Sequence, residues 1–153
     1  MANVNEIYSV DRAVITEMAR HATKSERKRV HLLLHAGHGD QVQRLMIFMQ
    51  PGTYVRPHHH PLQWEMLILV QGRGTLLTFA AGGEIVGRLE LSAHTPIVQI
   101  PAATWHGFVV LEPDTVVMEV RPGPYRPSEF AAWAPPEGDA SASCYLRSLG
   151  SPH

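Results

Sequence analysis

Residues 52–72 read Gly-Thr-Tyr-Val-Arg-Pro-His-His-His-Pro-Leu-Gln-Trp-Glu-Met-Leu-Ile-Leu-Val-Gln-Gly. His58 and His60 stand two apart, Glu65 follows five residues after His60, and a glycine closes each end. Side chains of a strand alternate between its faces, so His58 and His60 point one way and His59 the other. Two imidazoles and a carboxylate gathered on one face make a donor set for a borderline divalent metal. The bland alternatives are a solvated histidine-rich loop or a cloning remnant. Tags sit at termini, however, and this triplet lies mid-chain, locked between Pro57 and Pro61 and followed by an apolar run.

Outward from this stretch the chain breaks into short β runs bounded by glycine, proline and polar turns. On the N-terminal side these are Val30 to His35 and Val42 to Gln50, with Gly37 to Asp40 as their turn. Pro51-Gly52 then opens a histidine strand, Thr53 to His60. On the C-terminal side come Trp64 to Val70, Thr75 to Phe79, Glu84 to Leu91, Ile97 to Ile100, Trp105 to Leu111 and Thr115 to Val120. Such close, regular spacing predicts an all-β sandwich or barrel rather than βαβ units. No phosphate loop, dinucleotide fingerprint or Gly-x-Ser-x-Gly is present.

The flanks read as packaging. Ile7 to Val10 is a short β-like piece, and Asp11 caps a helix from Arg12 to about Thr23. Its stripe of Val14, Ile15, Met18, Ala19 and Ala22 faces a sheet. The basic stretch from Lys24 to Arg29 is its solvated exit. After Val120 the chain is proline-rich and cannot continue a central ladder, so it should wrap the outside of the barrel. Asp139 caps a last helix to about Leu149, and Ser151-Pro152-His153 should fray. One domain over residues 1–153 follows: an extension at 7–29, a barrel at 30–121 and a proline-rich extension at 122–153.

With 153 residues, a net charge of −1 and one cysteine, the chain has the balance of a globular protein without an intrachain disulfide. The one basic cluster lacks interleaved aromatics, so no nucleic-acid partner is expected. No apolar run is long enough for a membrane span, and no signal peptide is readable, so a cytoplasmic location is expected.

Two histidines and a carboxylate call for a further ligand, and His106, after the turn Pro101-Ala102-Ala103-Thr104-Trp105, is the best placed. His21 lies on the helix, His38 in a turn and His94 in a polar loop; His31 and His35 flank a strand. Period-two counting puts Leu67 and Leu69 beside Glu65, and Phe108 and Val110 beside His106, which predicts an apolar pocket next to the metal. The same alternation turns Trp64 and Trp105 outward, against the N-terminal helix or a second subunit. Candidate catalytic groups are Glu119 and Arg121, which share a face, together with His35, Tyr54 and Gln63.

Gly52, His58, His60, Glu65 and Gly72 match the first cupin motif position for position, and Pro101 to His106 resembles the second. Ala103 stands where that motif prefers glycine, so the turn need not take a positive φ. Beyond these motifs the chain resembles the WbuC family of cupin-fold metalloproteins. The likeness runs through Pro51-Gly52-Thr53-Tyr54, Arg56 to Pro61, Trp64-Glu65, Thr104-Trp105-His106, Glu119-Val120, Pro122 to Tyr125 and Trp133-Ala134-Pro135. The resemblance implies a cupin double-stranded β-helix, a jelly-roll-like barrel of two antiparallel sheets with a metal in one mouth. It further implies a link to surface-polysaccharide metabolism, with no established reaction.

The expected cofactor is a divalent zinc, manganese, iron, nickel or copper ion, since all accept such ligands. The expected activity is a metal-dependent isomerase or dioxygenase acting on a small, oxygen-rich, sugar-related molecule. Two rivals are a metal or small-molecule sensor without turnover and a metal-free epimerase-like protein using a histidine base. A homodimer is expected from the edge strands and outward tryptophans.

Overall fold

The structure, a computed structural model, describes residues 6–150. The terminal Ser151-Pro152-His153, expected to fray, lie outside the described residues. Helix α1 (Arg12–Lys24) starts at the expected cap, where Asp11 Oδ1 accepts from the Val14 backbone N–H at 3.0 Å. Ile7 to Val10 forms no strand; Val10 instead packs into the cluster beneath α1.

Ten strands follow: β1 (Arg29–Leu33), β2 (Val42–Met49), β3 (His58–His59), β4 (Glu65–Gln71), β5 (Gly74–Phe79), β6 (Ile85–Leu91), β7 (Ile97–Ile100), β8 (Trp105–Val110), β9 (Thr115–Pro122) and β10 (Glu129–Phe130). A final helix, α2, spans Ala142–Gly150. One antiparallel sheet has the order β1-β2-β9-β4-β7 and the other β10-β3-β8-β5-β6. From β3 on the chain crosses repeatedly between the sheets, which is the cupin double-stranded β-helix with an added N-terminal helix.

Alternation sorts the side chains into three layers. Between the sheets lies an inner core with Met49, Leu67, Leu76, Phe108, Val110 and Val117. Their alternate neighbours point outward: Met46, Phe48, Val116 and Met118 meet Ile15, Met18 and Ala22 of α1. On the opposite outer face Leu77, Phe79 and Val109 meet Leu146 and Leu149 of α2, with Trp105 and Trp133 between. Trp105 therefore packs against the C-terminal segment and not against the N-terminal helix.

Two local expectations change. The histidine strand expected over Thr53 to His60 shrinks to β3, because Pro57 and Pro61 bracket it and withhold donors from a longer ladder. The proline-rich wrap, in turn, supplies an edge strand of its own: β10 pairs Glu129 with His59 and Phe130 with His58.

Ala103 has φ +60°, a left-handed conformation, and its N–H donates to the His60 carbonyl at 2.8 Å. That bond ties the turn before β8 to the histidine segment, so the backbone holds Ala103 where glycine would rest more easily. An L-residue there costs about 1–2 kcal/mol, and glycine returns about 0.4–1 kcal/mol to the unfolded chain. Ala103→Gly is therefore expected to raise the melting temperature by about 2 °C. A fall of that size in a thermal melt would contradict the left-handed turn.

Candidate metal centre and its cavity

The crossing of the two sheets assembles the cluster. His58 on β3 lies directly opposite His106 on β8, both facing inward from one sheet. Glu65, the first residue of β4, faces them from the other sheet, and His60 follows β3 just before Pro61. One ligating atom from each of His58, His60, Glu65 and His106 falls within 4.8 Å of every other. His60 Nε2 approaches Glu65 Oε2 to 2.7 Å and His106 Nε2 approaches the same oxygen to 3.3 Å. Neither approach has hydrogen-bond alignment, and Glu65 Oε2 and His106 Nε2 are buried without a hydrogen-bond partner. Buried, unpaired polar atoms are costly, and several converging on one point suit a cation.

The tautomers fit that use. His58 Nδ1 donates to the Arg56 carbonyl at 2.9 Å and His106 Nδ1 to the Thr104 carbonyl at 2.8 Å. Each leaves the Nε2 lone pair for the centre, the arrangement in which outer partners fix a ligating imidazole. Burial, together with the neighbouring His106, pushes His58 down to about 3, so it is neutral and available. Burial would raise Glu65, but its close approach to His106 and His60 outweighs that and keeps it ionised. Burial would likewise lower His106, and the Glu65 carboxylate overrides it upward. His60 is the exception in its outer contact: Arg121 Nη1, which can only donate, lies 3.0 Å from its Nδ1. A lone pair on Nε2 then needs an acceptor for the Nδ1 proton, and Ser128 Oγ is 3.5 Å away.

Behind His60, Arg121 Nε stands 3.4 Å from Glu119 Oε1, so these two share the inward face of β9 as expected. Glu119 is pushed up to about 8, first by burial and then by Glu65, with Arg121 opposing. The other candidate catalytic groups lie apart from the cluster. His35 Nδ1 is spent on the Arg44 backbone at 2.8 Å, and the Tyr54 hydroxyl donates to the Pro135 carbonyl at 2.8 Å. Gln63 donates to the Pro122 and Pro124 carbonyls, fixing the exit of β9. His59 faces away, its ring 4.0 Å from that of Trp105 and its Nε2 3.0 Å from Glu129.

A cavity of about 210 Å³ opens beside the cluster. Its inner wall is apolar as expected, with Ile47, Met49, Leu67, Leu76, Phe108 and Val117, but its lining also includes Arg27, Arg29, His31, Arg56 and Glu137. The basic stretch is the exposed turn expected after α1, with Lys24, Glu26 and Lys28 at the surface, but Arg27 and Arg29 at its end also line the cavity. Alternation carries the signal: Val30 and Leu32 pack beneath α1, so Arg29 and His31 turn inward. His31 is held at about 4 by desolvation and by the charges of Arg29 and Arg27, and so is neutral at neutral pH.

Residues 10–91, more than half of the chain, match the family described as Domain of unknown function (DUF6016). The chain belongs to that family. The matched span carries α1, β1 to β6 and three of the four cluster residues, and ends before His106. No curated protein matches this DUF6016 chain. Among solved structures, KdgF from Halomonas sp. is 25% identical with a TM-score of 0.49, over 64% of this chain and 80% of that one. Bacillus subtilis oxalate decarboxylase, solved in work on its Mn(II) centres, is 17% identical with a TM-score of 0.51, over 60% of this chain and 24% of that one. Procruciferin, an 11S globulin from Brassica napus, is 12% identical with a TM-score of 0.51, over 59% and 23%. The chain thus matches about a quarter of the length of these last two. A decarboxylase and a globulin score alike, so the likeness shows the cupin fold and leaves function to the site.

Among the described residues, no helix is long and apolar enough to cross a membrane.

Proposed function

We propose that His58, His60, Glu65 and His106 hold a divalent transition metal and that the adjacent cavity presents a small, oxygen-bearing molecule to it. The observation that carries this is the convergence of four ligating atoms, with Glu65 Oε2 and His106 Nε2 buried and unpartnered. Such an ion would polarise a bound carbonyl and lower the pKa of bound water. Around it the chain's own residues exclude bulk water through the apolar wall and hold protons at defined atoms. A sugar-derived substrate connected with surface-polysaccharide metabolism is the finer reading, supported by the WbuC resemblance. Metal analysis of untagged protein tests the centre: about one equivalent of a transition metal supports it, and metal-free protein that resists reloading sinks it.

Glu119 is the group we assign to proton transfer, because it lines the cavity and is pushed up to about 8. An unfolded glutamate titrates at about 4.5. Between those values the folded protein keeps a proton that the unfolded chain has released, so stability falls as pH rises from about 4.5 to about 8. In metal-stripped protein Glu119→Gln should remove that slope, giving a variant more stable than the parent by on the order of 4 kcal/mol at pH 8 and similar to it near pH 4.5. Denaturant titrations across this range check it, and parallel pH profiles for the two proteins would refute a raised Glu119.

A further inference from the structure

The cavity lining carries charged groups that metal binding does not use. Three guanidinium groups, from Arg27, Arg29 and Arg56, line it with the cluster, while His31 beside them is neutral. Arg27 and Arg29 already grip a carboxylate. Arg27 Nε lies 2.7 Å from Glu137 Oε1, and Arg29 Nη2 lies 2.9 Å from Glu137 Oε2. Arg29 is braced for the role: its side chain is only 8% exposed and Nη1 donates to the Tyr54 carbonyl at 2.9 Å.

Arg56 is held but not satisfied. Its Nη2 donates to the Ala131 carbonyl at 2.7 Å and its guanidinium stands 5.8 Å from the Phe130 ring centre. Its Nε is buried with no hydrogen-bond partner. A buried charged donor left unpaired is costly, and a planar carboxylate is the acceptor whose shape matches a guanidinium edge. Arg56 and His58, two apart just before and at the start of β3, line the same cavity. At about 210 Å³ that cavity falls below the range of drug-sized pockets, which limits the ligand to a few heavy atoms or a single sugar ring.

We infer that the ligand is a small organic acid, its carboxylate held at Arg56 and the neighbouring arginines while a second oxygen faces the four-residue cluster. This rests on the reading of the cluster as a metal centre and names the substrate class for it. A neutral sugar could accept a hydrogen bond from Arg56 but would leave its charge uncompensated, and a cationic ligand would be repelled by it.

The test is calorimetric binding to manganese-loaded, full-length protein. The probes are pyruvate, malonate and glucuronate, their neutral counterparts pyruvamide, malonamide and glucose, and inorganic phosphate. At least one acid should bind about tenfold or more tightly than its neutral counterpart. Arg56→Gln should weaken it by about tenfold to a hundredfold with metal content unchanged. Arg56→Lys, which keeps the charge and loses the fork, should fall between and covers the case where the glutamine variant does not fold. Equal binding of neutral counterparts, or parental binding by both variants, overturns the inference and leaves the metal centre standing. Tighter binding of phosphate than of every acid overturns the carboxylate assignment. A wild-type protein that takes up no manganese overturns the metal reading instead, and acid binding by that protein would still support the arginine mouth.

Discussion

Replacing His58 by alanine is expected to remove most of the stabilisation that added metal confers. In the parent, an ion present at about a thousand times its Kd stabilises the folded chain by about 4 kcal/mol, or about 8–16 °C for a chain of this size. Losing even an outer partner of a ligating histidine costs 10–100-fold in affinity, so losing a ligand costs at least the upper figure. At the same metal concentration about 1.4 kcal/mol then remains. His58 is the informative choice because it is neutral, held at about 3, and makes no close approach to Glu65 of the kind that His60 and His106 make. Its removal leaves the buried carboxylate with both near neighbours, so the metal-free variant should melt close to the metal-free parent. His106→Ala should lose the metal increment as well, and should also melt lower without metal, because Glu65 then loses a buried partner. Thermal melts with and without manganese or zinc, paired with metal analysis, read both numbers. Unchanged metal content in both variants would show that the cluster is not the centre.

The parts of this protein that were legible in the sequence are those written by period two and by turn residues. His58 and His60 announce one face by spacing alone, Glu65 joins them from the opposite sheet, and His106 was reachable because it follows directly on a proline-bounded turn. The strands of both sheets are bounded close to where glycine, proline and polar turns put them, since apolar alternation and turn chemistry agree along most of the barrel. The charged mouth was legible in part too. In β1 the outward Val30 and Leu32 imply an inward Arg29 and His31, and Arg56 lies only two residues before His58. What had no local signal is whatever the C-terminal segment brings. Glu129 and Phe130 form a strand only because His58 and His59 offer an edge, and Glu137 meets Arg27 and Arg29 across more than a hundred residues of chain. Ala103 shows the opposite case. Its residue type argues against a left-handed turn, and a tertiary hydrogen bond to His60 imposes one.

The same limit separates the two glycines that bracket the histidine stretch, which look equivalent in sequence. Both have positive φ, +93° at Gly52 and +82° at Gly72. Around Gly52 a Cβ would meet nothing within 4 Å, whereas at Gly72 it would lie 2.7 Å from the Thr115 Cα. Thr115 cannot yield, because it is fully buried at the start of β9. Its Oγ accepts from the Arg73 N–H at 3.2 Å and donates to the Glu112 carbonyl at 2.7 Å. Gly52→Ala should therefore cost only the backbone conformation, about 1 kcal/mol. Gly72→Ala adds the overlap to that conformation and should cost about 4 kcal/mol, a fall of roughly 8–16 °C in melting temperature. The loss should spread to the site, since β9 carries Glu119 and Arg121 and pairs with the strand that carries Glu65. Melting the two variants side by side checks this, and equal shifts would mean that Thr115 moves aside and that the close approach of the turn to β9 is not a constraint on the fold.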